Sequence, residues 1–261
     1  MGFCDECPDG EGIFAGKRAL VVGGSGGIGK AVALGLAKRG AAVIITGGNS
    51  PERLEHTLAE LNATSKISRK HSGFLCKIGL SDGGLSPEEA AAFILEKAPS
   101  PDILAISWGP FIKIALQETT PENWRFLVEG NLVFPGILTS LVLGDMVRRG
   151  WGRILLFGGT GTAEFRGFSD TVAYSTAKTA LGTLAKSVAK TAGKAGVCCN
   201  VICPGLTATE YTTPPELAWY REKYAERKIL TAEEIGYYAL EVLQSSNING
   251  AIIPVDSGLW V

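Results

Sequence analysis

The chain has 261 residues, of which 46% are hydrophobic, and a formal net charge of −1 from 25 Lys and Arg against 26 Asp and Glu. This apolar fraction is too high for a disordered chain. The balanced charge argues against a protein that binds a nucleic-acid backbone, which needs a basic surface. The 34 glycines, with 12 prolines and no Gly-x-y period, exclude collagen and indicate many tight turns.

The cysteines do not indicate a disulfide-rich scaffold, because six are few for a chain of this length. Cys4 and Cys7 form an isolated C-x-x-C pair without a second pair at zinc-ribbon spacing. We therefore expect a frayed N-terminal tail over residues 1–16 and no bound metal, with a zinc or redox role of this pair as the alternative. The remaining cysteines lie in or beside apolar runs and are interpreted as small core residues: Cys76, Cys198, Cys199 and Cys203.

The sequence does not predict export or a membrane anchor. The acidic N-terminus lacks the apolar h-region of a signal peptide. The uncharged apolar stretch at residues 131–144 is too short to span a bilayer, and Pro135 interrupts it. We expect a cytoplasmic protein that binds neither a membrane nor nucleic acid.

Short β-branched runs alternate with longer stretches of helical spacing along the chain. Strands are predicted at residues 19–22, 42–46, 74–78, 103–106, 154–157, 198–202 and 251–255. Helices are predicted at residues 27–39, 51–61, 87–97, 121–149 and 172–194, followed by a last helix that the capping box of Thr231 and Glu234 opens. Strands that are apolar on both faces indicate a parallel sheet covered by helices on both sides. The predicted fold is a single α/β domain, residues 17–261, in which ligands bind beyond the carboxyl ends of the strands.

A glycine-rich loop, residues 23–30, joins the first predicted strand to the first helix. Glycines let the backbone approach a phosphate closely, and a helix N-terminus favours an anion. Three templates overlap here: G-x-G-x-x-G from Gly24, a Walker A loop, and G-x-x-x-G-x-G from Gly23. Ala31 stands where a Walker A loop has the Ser or Thr that holds magnesium, which argues against an NTPase. A glycine-rich turn without a ligand is the alternative to a dinucleotide phosphate site.

The end of the second predicted strand bears on cofactor choice. Residues 46–50 contain no carboxylate to bind the ribose 2′-hydroxyl of NAD. They contain no arginine either, and their small polar side chains leave room for a 2′-phosphate, with Asn49, Ser50 or Arg53 as possible donors. The sequence therefore favours NADP, with NAD possible.

Tyr174 and Lys178 lie four residues apart in a predicted helix and hence on one face of it. A tyrosine with a pKa of about 10 is a poor acid–base catalyst at neutral pH. A neighbouring ammonium stabilises the phenolate and lowers that pKa. An exposed Tyr/Lys pair is the commoner explanation of this spacing alone, but the upstream glycine loop makes the combination specific.

With G-x-x-x-G-x-G and Y-x-x-x-K, the chain resembles the short-chain dehydrogenase/reductase family, nearest to its 3-oxoacyl-carrier-protein reductase-like members. The resemblance extends from Lys17 to Val261 and includes Asn131, the Pro-Gly loop in residues 200–207 and the turn at 255–258. It implies a Rossmann-like doubly wound parallel sheet of about seven strands with helices on both faces. It also implies a cofactor site formed by Gly23, Ser25, Gly26, Gly27, Ile28, Gly29, Gly48, Asn49, Ser50, Lys77, Ile78, Ser107, Trp108, Gly109, Tyr174, Lys178, Pro204, Gly205, Leu206, Thr207 and Thr209.

The resemblance implies hydride transfer between a nicotinamide cofactor and a small-molecule carbonyl or alcohol. In that mechanism Tyr174 donates a proton to the carbonyl or removes one from the alcohol. Lys178 lowers the pKa of this tyrosine and binds the nicotinamide ribose, and Asn131 holds a water that links Lys178 to solvent. The residues expected at the nicotinamide amide are Leu206, Thr207 and Thr209.

Three positions depart from the family pattern. Val22 replaces the threonine before the first glycine. Trp108, in I-S-W-G for the usual N-N-A-G, puts a large ring where alanine is expected, and it either narrows the site, shields the cofactor or packs under the neighbouring loop. Lys77 stands where an aspartate usually meets the adenine amino group, and a lysine cannot accept that hydrogen bond. Altered adenine contacts and a contact with the 2′-phosphate are the two interpretations.

The carbonyl-polarising serine of the family has no direct counterpart. Counting forward from the fifth strand puts Gly159 in its position, and counting back from the tyrosine puts Gly161 there. Thr160 is the nearest hydroxyl and is predicted to replace the serine, with Thr162 or Ser169 as alternatives. The missing serine also favours an alternative function, an NADP-binding sensor or scaffold with little catalysis. A dehydratase or epimerase on the same scaffold is a further one.

Residues 206–230 are predicted to form a lid over the site. The candidate lining residues there are aromatic: Tyr211, Trp219, Tyr220 and Tyr224. They suit an apolar or ring-bearing substrate or a subunit contact. Helices 121–149 and 172–194 resemble the pair that forms dimers and tetramers in the family, which implies a homodimer or homotetramer.

Overall fold

Seven parallel strands form the main sheet. The computed structural model describes residues 12–64, 71–79, 83–224 and 229–259. Its strands are β1 (Arg18–Val22), β2 (Ala42–Gly47), β3 (Ser72–Leu75), β4 (Ile103–Ile106), β5 (Gly152–Phe157), β6 (Val197–Pro204), β7 (Thr207–Ala208), β8 (Leu230–Thr231) and β9 (Ile252–Val255). The main sheet has the order β3-β2-β1-β4-β5-β6-β9, while β7 and β8 form a separate pair. Every neighbouring pair in the main sheet is parallel.

Helices connect the strands of the main sheet. They are α1 (Gly27–Lys38), α2 (Pro51–Thr64), α3 (Pro87–Lys97), α4 (Pro121–Val128), α5 (Phe134–Arg149), α6 (Val172–Ala192), α7 (Pro214–Lys223) and α8 (Ala232–Gln244). Capping boxes at Ser86, Thr120 and Thr231 satisfy backbone N–H groups in the first turns of α3, α4 and α8. These local signals explain why the helix starts can be read from the sequence.

Two apolar layers enclose the sheet. On one face, side chains of α3, α5 and α6 pack on the strands around Phe134 and Leu138. On the other face, side chains of α1, α2 and α8 pack around Val32 and Ile235. The strand order reverses between β1 and β4, which opens a crevice at the carboxyl edge of the sheet. The predicted doubly wound α/β fold is confirmed.

Two predicted elements differ from the structure. The third strand was predicted at residues 74–78 but lies at Ser72–Leu75. Cys76 and Ile78 are buried although they follow the strand, and an apolar pattern does not distinguish a buried loop from a strand. The predicted helix 121–149 is divided by a wider π turn at Glu129–Val133. Pro121–Arg149 is long enough to cross a membrane and contains an 18-residue window with a mean hydropathy of 1.7, but α5 packs in the core.

Residues 12–16, the described part of the predicted tail, contact the rest of the fold. Phe14 is 2% exposed, and its N–H donates to the carbonyl oxygen of Arg39 at 2.8 Å. Cys4 and Cys7 lie outside the described residues. The cysteines predicted in the core are buried there as free thiols: Cys76, Cys198, Cys199 and Cys203.

A buried histidine makes the stability of the fold depend on pH. His71 is 3% exposed, and its Nδ1 accepts a hydrogen bond from the Val43 N–H at 3.1 Å, which requires an unprotonated Nδ1. Burial lowers the pKa of His71 below its ordinary value. The unfolded chain, with a histidine pKa of about 6.5, therefore binds more protons than the folded chain as the pH falls below that value.

We expect the urea midpoint of unfolding to fall between about pH 7.5 and pH 5.5 because of this difference in proton binding. His71→Asn should flatten the dependence, since it removes the titrating ring. The control is His56→Gln, because His56 lies on the exposed face of α2. Equal pH dependence in all three proteins would contradict this assignment.

Candidate active site

The glycine loop connects the carboxyl end of β1 to the N-terminus of α1. Gly23 has a φ of 79°, in the left-handed region that favours glycine. Its N–H donates to Thr46 Oγ1 at 3.1 Å, which ties the loop to β2. A Cβ at Gly29 would overlap the Gly23 carbonyl. Both glycines are therefore required by close backbone packing, which presents the first N–H groups of α1 at the crevice.

A carboxylate from the segment that follows β7 lies at the N-terminus of α1. Glu210 Oε1 accepts a hydrogen bond from the Gly27 N–H at 2.8 Å, where the helix dipole favours an anion. The neighbouring Tyr211 lies against Gly26, where a Cβ would overlap the tyrosine hydroxyl. The Arg53 guanidinium is 5.0 Å from the centroid of the Tyr211 ring. This segment is thus docked on the glycine loop by an anionic and an aromatic contact.

Tyr174 and Lys178 face the crevice from one side of α6. Lys178 is 5% exposed, and its Nζ donates to the carbonyl oxygen of Phe157 at 2.9 Å, at the end of β5. Nζ lies 5.8 Å from the centroid of the Tyr174 ring. Burial lowers the pKa of Lys178 to about 8, and it raises the pKa of Tyr174 above its ordinary value. A single helix face therefore holds a cation close to a protonated phenol.

Asn131 lies in the π turn and is fully buried. Its Nδ2 donates to the carbonyl oxygens of Leu127 at 2.9 Å and Pro110 at 2.8 Å. Its Oδ1 has no hydrogen-bond partner in the described residues. A Cβ at Gly109 would overlap this oxygen and lie 3.1 Å from Lys178 Nζ. Asn131 thus presents an acceptor next to the lysine ammonium. Glycine is required at position 109 because any side chain there would overlap that acceptor.

Gly159, one of the two positions where the serine is expected, lies beside Tyr174. A Cβ at Gly159 would lie 2.9 Å from Tyr174 Oη, so position 159 faces the tyrosine hydroxyl. Thr160 Oγ1 lines the cleft but donates to the carbonyl oxygen of Pro204 at 3.2 Å. Thr162 Oγ1 is buried and both donates to and accepts from the backbone of Gly159. The nearest hydroxyls are therefore already bonded to the backbone.

A cleft of about 720 Å³ brings many of the predicted residues together at the carboxyl edge of the sheet. The predicted residues that line it are Ile28, Ser107, Gly109, Thr160, Tyr174, Lys178, Pro204, Gly205, Leu206, Thr207, Thr209, Trp219, Tyr220 and Tyr224. Ser25, Gly27 and Arg53 line an adjoining groove of about 890 Å³ over α1. The predicted residues outside these two linings are Gly23, Gly26, Gly29, Gly48, Asn49, Ser50, Lys77, Ile78, Trp108, Asn131 and Tyr211, and the alternatives Thr162 and Ser169 are also outside.

The departures from the family pattern have different structural consequences. The Trp108 ring packs edge-on against Phe134, with centroids 5.8 Å apart, so it joins the core instead of narrowing the cleft. The carbonyl oxygen of Lys77 accepts from the Leu85 N–H at 2.8 Å. A Cβ at Gly48 would meet no atom within 4 Å, so open space lies beside the end of β2.

Several cleft residues were missed by sequence reasoning. The Phe111 ring contacts Tyr174 edge-on, with centroids 4.9 Å apart. Lys113 Nζ lies 3.2 Å from Asp170 and 4.8 Å from the centroid of the Trp219 ring. These residues lie in loops after β4 and β5, where no hydrophobic periodicity indicates which way a side chain points. A search that took every residue of the loops after the strands as a candidate would have included them.

The family model described as short chain dehydrogenase matches residues 17–217. The uncharacterized oxidoreductase YvaG of Bacillus subtilis (strain 168) is 29% identical, over 94% of this chain and 96% of that protein. The 2-dehydro-3-deoxy-D-gluconate 5-dehydrogenase of the same strain is 30% identical, over 94% of this chain and 95% of that protein. A solved structure of a 3-oxoacyl (acyl-carrier-protein) reductase from Agrobacterium tumefaciens C58 with NADP bound has a TM-score of 0.80 and 28% identity. The match covers 94% of this chain and 95% of that one.

The glycine loop fits a dinucleotide such as the NADP of that relative. The N-terminus of α1 already hydrogen-bonds an anionic group, the Glu210 carboxylate, so its backbone suits a phosphate. Asn131 Oδ1 and Lys178 Nζ lie at the far end of the same crevice. Glu210 is therefore a negative charge next to the place where anionic phosphates would bind.

We expect Glu210→Gln to tighten NADPH binding, because it removes a charge that repels phosphate and competes for the α1 N-terminus. Charge effects of about 0.3–1 kcal/mol at helix ends correspond to roughly two- to fivefold in Kd. The Kd of NADPH is measured by fluorescence titration at low ionic strength. Glu233→Gln, on the exposed side of α8, is the control for loss of one charge from the adjoining groove. Unchanged or weaker binding by Glu210→Gln would overturn the expectation.

Proposed function

Because this chain belongs to the short-chain dehydrogenase/reductase family and is an NAD(P)-dependent oxidoreductase, we propose that it uses NADP(H) and Tyr174 to interconvert a carbonyl and an alcohol. The observation that carries the proposal is the convergence of Tyr174, Lys178 and Asn131 at one end of the crevice. The glycine loop lies at the other end. When bound, the nicotinamide cofactor supplies or accepts the hydride.

Tyr174 is the proton donor to the carbonyl oxygen in the reductive direction and the acceptor in the oxidative direction. The Lys178 ammonium stabilises the phenolate that forms when Tyr174 gives up its proton. The carbonyl of Phe157 holds that ammonium, so it stays close to the ring without a flexible loop. Asn131 Oδ1, which has no partner among the described residues, is the acceptor for a water that links the ammonium to solvent.

The preference for NADP rests on the end of β2. Residues 46–50 have no carboxylate to bind a 2′-hydroxyl or repel a 2′-phosphate. The space around Gly48 is open, and Arg53 is the nearest cation in the following helix. NAD is the less favoured cofactor on these grounds.

The substrate we propose is a small carbonyl compound or alcohol with an apolar or ring-bearing body. Phe111, Trp219, Tyr220 and Tyr224 line the outer part of the cleft and offer apolar surface. Two relatives are named for 3-oxoacyl-carrier-protein and 2-dehydro-3-deoxy-D-gluconate substrates, so both classes belong in a test panel. A homodimer or homotetramer is also part of the proposal, supported by the exposed Leu141 on α5.

A cofactor-binding sensor or scaffold with little catalysis is the second candidate function. It is favoured by Gly159, which leaves no serine hydroxyl to polarise a carbonyl, and by the engagement of Thr160 with Pro204. Loss of one such donor typically costs about 10²–10³ in rate, which is compatible with a slow enzyme. Thr160 is the hydroxyl that would serve if it released Pro204.

We expect wild-type protein to consume NADPH with at least one member of a panel of ketones, aldehydes and 3-oxoacyl thioesters. Tyr174→Phe should lower kcat by about 10²-fold or more, because it removes the proton donor and keeps the ring. NADPH absorbance measures turnover, and NADPH fluorescence checks that the variant still binds cofactor. Equal turnover by both proteins would refute the mechanism. NADPH binding without turnover by wild type would favour the sensor.

We expect kcat/KM for carbonyl reduction to be constant below about pH 8 and to fall above it. The pKa of Lys178 is about 8, so its ammonium is lost as the pH rises through that value. Tyr174 stays protonated in the same range because burial raises its pKa. The pH profile of Lys186→Met, which removes an exposed lysine of α6, is the control. A flat profile through pH values well above 8 would contradict the role of Lys178.

A further inference from the structure

We propose that Phe111 is a positioning residue for Tyr174. A serine side chain at position 159 would help to position the same tyrosine, but that position is a glycine. The Phe111 ring meets the Tyr174 ring edge-on, with centroids 4.9 Å apart and an interplanar angle of 86°. The same tyrosine lies directly against the backbone of Gly159. This inference rests on the proposed function, in which Tyr174 is the proton donor.

Ring packing holds the tyrosine where the nearby hydroxyls do not, because those hydroxyls have backbone partners. Thr160 Oγ1 donates to the Pro204 carbonyl, and Thr162 Oγ1 donates to the Gly159 carbonyl. Edge-to-face packing is a directional contact between aromatic rings, so Phe111 restricts the ring where no hydroxyl does.

The loop that carries Phe111 is anchored on both sides. The Pro110 carbonyl accepts from Asn131 Nδ2 at 2.8 Å. On the other side, Ile114 N–H donates to the Asp170 carbonyl at 2.7 Å. The Asp170 carboxylate also pairs with Lys113. Although Phe111 is 59% exposed, the backbone that carries it is therefore held between the buried asparagine and the segment that leads into α6.

The contact with Gly159 predicts that a serine introduced at this position disturbs Tyr174. A Cβ at position 159 would lie 2.8 Å from Tyr174 Cε1, closer than such atoms approach each other. A serine there requires the tyrosine ring to shift. The position of the ring depends on Phe111, so positions 111 and 159 should be coupled.

The first experiment compares Phe111→Ala, Phe111→Leu and Phe111→Tyr with wild type on the substrate found in the panel. Misplacement of a reacting group by about 1 Å can cost roughly 10²-fold in rate, so we expect Phe111→Ala to lower kcat by about 10- to 100-fold. Phe111→Leu should lower it similarly, because it keeps bulk but loses the ring. Phe111→Tyr should retain kcat near wild type. A change confined to KM would overturn the proposal, because it would assign Phe111 to substrate binding.

Leu116→Ala is the matched control, because Leu116 is an exposed apolar residue of the same connection without the ring contact. It should keep kcat, and all variants should keep NADPH affinity and unfolding temperature. An equal loss of kcat in Leu116→Ala would show a general loop effect and would also overturn the proposal.

The double variant Phe111→Ala/Gly159→Ser tests the coupling. Gly159→Ser alone should lower kcat, because the new Cβ displaces Tyr174. In the Phe111→Ala background the same substitution should raise kcat, since the ring is free to move and the hydroxyl gives it a hydrogen-bond partner. Additive effects of the two substitutions would contradict a shared action on Tyr174.

A readout without turnover separates this proposal from the proposed function. The pH titration of phenolate absorbance is measured in wild type and in Phe111→Ala. The same titration of each protein with Tyr174→Phe added is subtracted, so that the difference reports Tyr174 alone. The groups that face Tyr174 are Lys178 and Cys203. Removal of Phe111 admits water, so the Tyr174 pKa should fall towards its ordinary value. An unchanged titration would overturn the positioning role even if turnover were absent, whereas equal turnover by wild type and Tyr174→Phe would refute only the mechanism.

Discussion

The buried ammonium of Lys178 is held by the Phe157 carbonyl at the end of β5, and the site is arranged around this hydrogen bond. A buried charge without a partner is costly, so the bond fixes the face that α6 turns towards the sheet. Tyr174 lies one turn earlier on that face and consequently enters the crevice. Asn131 and Gly109 close the other side of the ammonium, which is therefore shielded from water and titrates at lower pH than an exposed lysine.

The glycines of this chain make close backbone approaches at both ends of the crevice. At Gly23 and Gly29, the loop folds so tightly that side chains would meet neighbouring atoms. At Gly159, the backbone itself takes the position beside the tyrosine hydroxyl that a side chain occupies in the family. The same residue type thus forms the turn at the cofactor loop and, at the other end, leaves no side-chain hydroxyl at position 159. Ring packing by Phe111 is the compensation we infer.

Electrostatics at the glycine loop links the segment around Glu210 to the cofactor site. The α1 N-terminus attracts anions, and in this structure the anion is the carboxylate of Glu210. Tyr211 and Arg53 hold the same segment in place through an aromatic contact. Phosphates that bind at this helix end would compete with the Glu210 carboxylate, so cofactor binding and the docked position of this segment oppose each other.

The sequence alone determined the α/β fold, most strand and helix positions, and the placement of Tyr174 and Lys178 on one helix face. Those features depend on local periodicity, capping and short spacings, which a linear pattern records directly. Asn131 was expected only from the family resemblance, and the structure places it in a π turn beside Lys178. Only the tertiary structure decided that Trp108 packs inward on Phe134, that Thr160 and Thr162 bond to the backbone, and that Phe111 and Glu210 meet the site. These outcomes depend on loop conformations and on which partners the fold brings together across long sequence separations. No spacing in the chain encodes such contacts, because each is set by competition among neighbours that exist only once the sheet and its helices have assembled.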